Sequence, residues 1–296
     1  DHEMYVQEIT PYGTTNPYGV DDPAALMGQF YNTGNETLLK LRNFVTNPDE
    51  RKKARTWNAQ EAAKMIKVSI PTLRKLVKEN NIPGIVIETT AKKRKMQRYT
   101  LQAINFLRDL SSTRYKRPSK SKTLVIAISN LKGGVGKTET AVDLAKKIAM
   151  EGQRVLLLDF DPQATATLLS SGLIPDLELT YEQTITNTLI SDPSNIKNII
   201  LKTHFDGFHI IPANLAIQDC DLLLANETEN NSDRLGSPFA RLSEALKTIK
   251  DEYDVILIDC GPNIAILTLN AVIAADGIIV PIPPSMSDYS SFTMFT

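Results

Sequence analysis

Leu124-Val125-Ile126-Ala127-Ile128-Ser129-Asn130-Leu131-Lys132-Gly133-Gly134-Val135-Gly136-Lys137-Thr138 passes from an apolar segment into a glycine-rich loop, and Glu139-Thr140-Ala141-Val142-Asp143-Leu144-Ala145 then reads as a helix. Strand, glycine loop and helix in that order are what a phosphate-binding loop requires. Glycines let the backbone approach an anion, successive N–H groups form a nest, and the helix N-terminus adds partial positive charge. In this reading Lys137 reaches the terminal phosphates and the Thr138 hydroxyl ligates a magnesium ion. Gly133, Gly134, Val135 and Gly136 supply the cradle, and Glu139 opens the helix. The general pattern G-x-x-x-x-G-K-[ST] asks for glycine at position 131; this sequence has Leu131, followed by a second lysine, Lys132.

Further along, Val155-Leu156-Leu157-Leu158-Asp159 is a second buried strand, completing a βαβ unit and implying a mostly parallel sheet with helices on both faces. Asp159 and Asp161 of Asp159-Phe160-Asp161-Pro162-Gln163 stand at its carboxyl end, where such sheets bind ligands. Asp159 is read as a contact to the metal shell and Asp161 as the group that polarises an attacking water. Val255-Ile256-Leu257-Ile258-Asp259 is a third strand, ending in a Walker B acid that holds magnesium through water. Gly207 to Asn214 reads as strand then loop, Pro238 to Glu252 as a helix, and Gly277 to Ile282 as a fourth buried strand. His2, His204 and His209 lack ligand spacing and are read as structural or surface groups.

The chain of 296 residues accommodates two domains and tails, and its 42% apolar content suffices for a core. No apolar run has membrane-spanning length and no signal peptide opens the sequence. Cys220 and Cys260 give no disulfide framework, so a reducing cytoplasm is expected. The net charge of −1 conceals an asymmetry: residues 51–122 carry 20 Lys+Arg against 4 Asp+Glu, the remainder 13 against 30. A segment that basic points to an anionic polymer.

Within it, Asn58 caps a helix over 59–66, Lys67-Val68-Ser69 turns, and Pro71 sits in the first turn of a second helix reaching about Asn80. Two short helices about a tight turn match a helix-turn-helix, whose second helix enters the major groove. Thr72, Arg74, Lys75 and Lys78 are its exposed candidates. Ile85 to Glu88 and Gln97 to Thr100 flank Lys92-Lys93-Arg94-Lys95 as a basic β-hairpin wing, with Arg98 on the return strand, and a helix from Leu101 to Leu110 closes the unit. Residues 1–50 read as an unordered arm followed by an amphipathic helix from Asn35, whose stripe of Leu38, Leu41, Phe44 and Val45 is a candidate dimerisation face; residues 111–122 read as a basic linker.

KGGVGKT, DFDPQATAT and VILIDCGPN, all within residues 123–296, resemble the deviant Walker ATPases of the ParA/MinD family, and the preceding helix-turn-helix resembles the long (type Ia) plasmid partition branch. The resemblance implies a P-loop NTPase fold preceded by a winged helix-turn-helix domain at 51–110. It implies ATP/ADP and Mg2+ as ligands and a nucleotide-sandwich homodimer in which Lys132 reaches the partner's phosphates. It implies non-specific binding of nucleoid DNA, operator binding through the wing domain, and stimulation by a ParB-type centromere-binding partner. Lys137, Thr138, Asp159, Asp161 and Asp259 match the family's phosphate lysine, magnesium hydroxyl, switch acids and Walker B acid. Glu139 stands where many relatives carry Thr, and the ATPase part is expected to be cut short at its C-terminus. The alternative class is a nucleotide-responsive repressor without a motor role; a MinD-like division regulator would leave the basic unit unexplained.

Overall fold

The computed structural model describes residues 32–34, 36, 54–89, 95–229 and 236–283. The chain forms two compact units, Asp1–Arg51 and Lys52–Thr296. In the first, Asn32, Thr33, Gly34 and Glu36 are helical, so helical backbone begins before the Asn35 expected as its cap. The apolar stripe expected from Leu38 to Val45 lies outside the described residues.

The second unit begins with β1 (Thr56–Trp57), α1 (Ala59–Ile66) and α2 (Ile70–Glu79). Asn58 caps α1 in a reciprocal box, its side chain accepting from the Gln60 and Glu61 amides while Glu61 accepts from the Asn58 amide. Lys67, in the left-handed region at φ 65°, ends α1 and turns the chain, and Ser69 caps α2. Strands β2 (Ile85–Thr89) and β3 (Lys95–Thr100) form an antiparallel hairpin, with Thr89 opposite Lys95, and β1 adds to β3. Gly84 at φ +79° is required at the base: a Cβ there would stand 2.3 Å from the Thr100 hydroxyl, which instead donates to the Gly84 carbonyl. Helix α3 (Leu101–Leu110) follows directly, capped by the same Thr100.

The main sheet runs β6 (Leu201–Lys202), β7 (Phe208–Ile211), β5 (Val155–Phe160), β8 (Val255–Cys260), β4 (Leu124–Ile128), β9 (Gly277–Ile279), parallel throughout except for the β6–β7 pair. Around it lie α4 (Lys137–Met150), α5 (Thr165–Ser171), α6 (Pro175–Glu178), α7 (Ile185–Ile190), α8 (Ile217–Glu229), α9 (Arg241–Lys247) and α10 (Ile266–Ala274). Alternate residues of β5 and β8 serve opposite faces. Leu156, Leu158, Ile256 and Ile258 pack with α7 to α10, while Val155, Leu157, Val255 and Leu257 pack with α4. Two expectations change. The helix anticipated over Pro238–Glu252 is α9 alone, followed by a 3-10 turn at Lys250–Glu252. The strand from Gly277 is short and lies at the edge of the described sheet, so Ile278 is exposed rather than buried.

The α4 face of the sheet continues without a break into α1, α2 and α3: Ile66, Leu73, Ile104 and Leu107 belong to the same apolar cluster as Ala145, Ala149 and Phe208. Arg108, almost fully buried, donates to the Met65 carbonyl at the end of α1, to the Met150 carbonyl at the end of α4, and to the Asn105 side chain. Asn105 in turn donates to Asp206 at 2.7 Å. Both carbonyls carry the negative end of a helix, which suits a guanidinium. Residues 111–122 are docked rather than free: Arg114 donates to the Gly152 carbonyl and Arg117 to the Tyr253 carbonyl, so these two basic groups face the protein. No helix among the described residues is long and apolar enough to cross a membrane.

Candidate functional site: the phosphate loop and three strand ends

The carboxyl ends of β4, β5 and β8 converge on one point because β8 lies between the other two, with Asp159 directly opposite Asp259 and Ile128 on its other side. Every residue of β5 and β8 is buried, so the carboxylates that end them sit at the floor of the site. The loop after β4 is shaped by Gly134 at φ +71° and Gly136 at φ +81°, values that disfavour a side chain, and a Cβ at Gly133, Gly134 or Gly136 would meet no atom within 4 Å. The loop backbone thus presents itself bare to a cavity of about 300 Å3. Gly133, Gly134, Gly136, Lys137, Thr138 and Glu139 line that cavity on the loop side; Asp161, Gln163, Thr165 and Pro262 line it opposite.

Lys137 is buried, and its ammonium donates to the Lys132 carbonyl at 3.0 Å, curling the loop over its own side chain. Burial lowers its pKa, an effect opposed by Asp259 and Asp161. Asn130, which the motif reading did not single out, accepts from the Lys132 amide at 3.0 Å and donates to the Pro281 carbonyl at 2.9 Å. It pins the front of the loop to the segment after β9. Its position two residues before the lysine is the only sequence signal for that role. Lys132 has its main chain engaged in both contacts, and it is not among the residues lining the cavity.

The two floor carboxylates differ sharply. Asp159 is fully satisfied: one oxygen accepts from the Thr167 amide at 2.8 Å and the Thr167 hydroxyl at 2.7 Å, the other from the Asp161 amide at 3.1 Å. Burial still raises its pKa to about 6, against those hydrogen bonds. Asp259 is equally buried, yet among the described residues neither carboxylate oxygen has a partner at hydrogen-bonding geometry, although the nearby Thr138 hydroxyl is oriented to favour its charge. Its pKa is pushed up to about 8, first by burial and then by the Asp159 charge, with Thr138 and Lys137 acting in the opposite sense. A buried carboxylate without donors is costly. A cation beside it removes that cost, so Asp259, with the Thr138 hydroxyl next to it, fits a magnesium site. Asp159, whose oxygens accept three hydrogen bonds, also holds the Asp161 loop through the Asp161 amide. Asp161 projects into the cavity, its carboxylate also accepting from the Gln163 amide at 2.9 Å. Thr167, Gln163 and Thr165 were not singled out from the sequence, although all three lie inside DFDPQATAT; which of them face the cavity depends on the left-handed kink at Ala164, φ 49°.

Of the basic residues expected to meet DNA, Arg74, Lys75, Lys78 and Lys95 are exposed. Thr72 is exposed too, with its hydroxyl paired to Ser69 at 2.8 Å. Arg98 is turned inward, donating to the Thr56 carbonyl at 3.0 Å and lying 3.4 Å from Glu88. Lys92, Lys93 and Arg94 fall outside the described residues.

Comparisons with known proteins agree with this geometry. An AAA domain family model matches residues 123–292. Protein SopA of Escherichia coli K12 is 34% identical over 273 residues, covering 91% of this chain and 70% of SopA. A plasmid partition protein from Borrelia burgdorferi superposes with a TM-score of 0.50 at 26% identity, covering 59% of this chain and 72% of that one. Cobyrinic acid a,c-diamide synthase from Mycobacterium smegmatis, solved with bound ADP and magnesium, gives 0.50 at 29% identity over 58% of this chain and 66% of that one. With the AAA domain model spanning more than half of the sequence and SopA matching along most of it, the chain belongs to the ParA family of P-loop NTPases.

Proposed function

We propose that this protein is a partition ATPase that binds and hydrolyses ATP with magnesium, binds DNA through the basic unit at 51–110, and acts as a nucleotide-dependent homodimer stimulated by a ParB-type partner. The observation that carries this reading is the convergence of a bare glycine loop, a buried lysine, an unpartnered Asp259 and a cavity-facing Asp161 at three adjacent strand ends. Likeness to SopA and to a plasmid partition protein supports the partition role. The ADP and magnesium in the related synthase support the choice of ligand.

Bound magnesium would neutralise charge on the terminal phosphates. The loop amides and Lys137 bind those phosphates, and Thr138 and Asp259 hold the ion, Asp259 through water. Asp161 orients the attacking water and takes up its proton as the γ-phosphoryl group moves away. Glu139 favours the N-terminus of α4 by its charge and lines the cavity beside the phosphates. Lys132 is assigned to the phosphates of the second subunit, a role in keeping with its absence from the lining of its own cavity. Arg74, Lys75, Lys78 and Lys95 are assigned to DNA, and the wing tip at 92–94 with them. On this reading the protein works in the cytoplasm, on nucleoid DNA.

A second reading, a repressor in which nucleotide acts only as a conformational ligand, draws on the core shared between the basic unit and α4. Asp161→Ala separates the two. On the partition reading it lowers ATP turnover by about 100-fold or more, the scale of a lost general base, and leaves nucleotide affinity within a few-fold. Unchanged turnover in the presence of duplex DNA would leave only the repressor.

A further inference from the structure

We propose that Thr167 is a positioning residue for hydrolysis, its hydroxyl fixing Asp159 and, through it, the backbone that aims Asp161 into the cavity. This deepens the ATPase reading above and rests on it. The observation is a directed chain of hydrogen bonds. The Ala213 amide donates to Thr167 Oγ1 at 3.0 Å, and Thr167 Oγ1 donates to Asp159 Oδ2 at 2.7 Å. The other carboxylate oxygen, Oδ1, accepts from the Asp161 amide at 3.1 Å. Thr167 and Asp159 are both fully buried, so no water substitutes for a missing member.

The fold explains why one hydroxyl matters here. Strands β5 and β7 are neighbours, and Ala213 follows the end of β7 as Asp159 nears the end of β5. Helix α5 carries Thr167 between the two strand ends, and the Asp161–Ala164 turn is the covalent connection from β5 into that helix. The turn is held by the Asp161 carbonyl accepting from the Ala164 amide at 2.8 Å, with Ala164 left-handed. Asp159 anchors the start of this turn and Thr167 anchors Asp159. With the Thr167 hydroxyl removed, Asp159 Oδ2 retains the Thr167 amide alone, the Ala213 amide is left without its acceptor, and the carboxylate is held by two hydrogen bonds instead of three, so its orientation is less tightly fixed. Thr167 does not line the cavity, so it acts on the reaction only through Asp159 and Asp161.

The full chain is compared with Thr167→Val, which keeps the shape and removes the hydroxyl, and with Thr167→Ser, which restores it. Magnesium-dependent binding of a fluorescent ADP analogue and steady-state ATP turnover are measured, the latter with and without mixed-sequence duplex DNA. Thr167→Val is expected to bind nucleotide within about threefold of wild type while kcat falls by roughly 10- to 100-fold, the scale of a misplacement near 1 Å. Thr167→Ser is expected to recover most of the wild-type kcat. Unchanged kcat in Thr167→Val overturns the proposal and leaves the ATPase reading standing. Parallel loss of binding and turnover, or a Ser variant as impaired as the Val variant, overturns it in favour of a purely structural role. Failure of the wild type to bind or turn over ATP overturns the ATPase reading itself, and the proposal with it.

Discussion

Asp159 and Asp259 share a residue type, a strand position and complete burial, and the difference between them is which donors the tertiary structure brings near. Among the described residues Asp159 has three hydrogen bonds and Asp259 has none of good geometry. Asp259→Asn therefore removes a group that folding penalises. A folded-state pKa raised to about 8 from 3.8 means that Asp259 is compatible with the fold below the unfolded value, and its cost grows as pH rises from about 4 to about 8 and levels off above. Without nucleotide or magnesium, the Asn variant is expected to unfold at higher temperature than wild type at pH 7.5, with a gain on the order of 1 kcal/mol or more. The gain should vanish near pH 4, and magnesium-dependent nucleotide binding should weaken. Equal melting temperatures at pH 7.5 would mean that Asp259 is not a strained, unpartnered acid. From sequence, both acids could be seen to end buried strands, but their neighbours could not, because Thr167 reaches Asp159 only after the chain turns back at Ala164.

At the scale of elements, the basic surface is narrower than the charge count suggests. Arg98, Arg114 and Arg117 are engaged with the protein's own carbonyls and carboxylates, whereas Arg74, Lys75 and Lys78 stand out from α2. Lys75 makes a long, exposed ion pair with Glu79 at 4.0 Å, which adds little stability. Lys75→Ala and Lys78→Ala should each weaken binding to duplex DNA and reduce the slope of log affinity against log salt by about 0.9 for each phosphate no longer neutralised. Nucleotide affinity should not change. Slopes identical to wild type would remove α2 from the DNA surface. Sequence located α1 and α2 well, because capping by Asn58, Pro71 in a first helical turn and the apolar spacing are local signals. It could not separate arginines that face solvent from those that fold inward, since both occur in polar, basic segments.

At the scale of the whole molecule, residues 54–110 and the P-loop domain share one apolar cluster, pinned by Arg108 between the ends of α1 and α4. A shared core predicts shared unfolding. Trp57, buried beside α1 and the one tryptophan of the sequence, reports on the first part by fluorescence, while far-UV circular dichroism is dominated by the larger domain. The two melting curves should coincide. Arg108→Ala should shift both to lower temperature, at a cost of about 2–3 kcal/mol for removing charged hydrogen bonds from a buried site. Well-separated transitions in the wild type would show that the two parts are independent domains joined by a linker.

The nucleotide fold and the core of its site could be read from order alone: an apolar strand, a glycine loop with Lys137 and Thr138, and two further strands ending in acids. Those signals are local, and a parallel sheet places strand ends together whatever the loops do. Contacts between residues far apart in sequence could not be read. The docking of residues 111–122, the inward turn of Arg98, the Arg108 bridge and the unequal fates of Asp159 and Asp259 all depend on which segments become neighbours. Hydrogen bonding and desolvation act at distances of a few ångströms, and only the folded chain sets those distances.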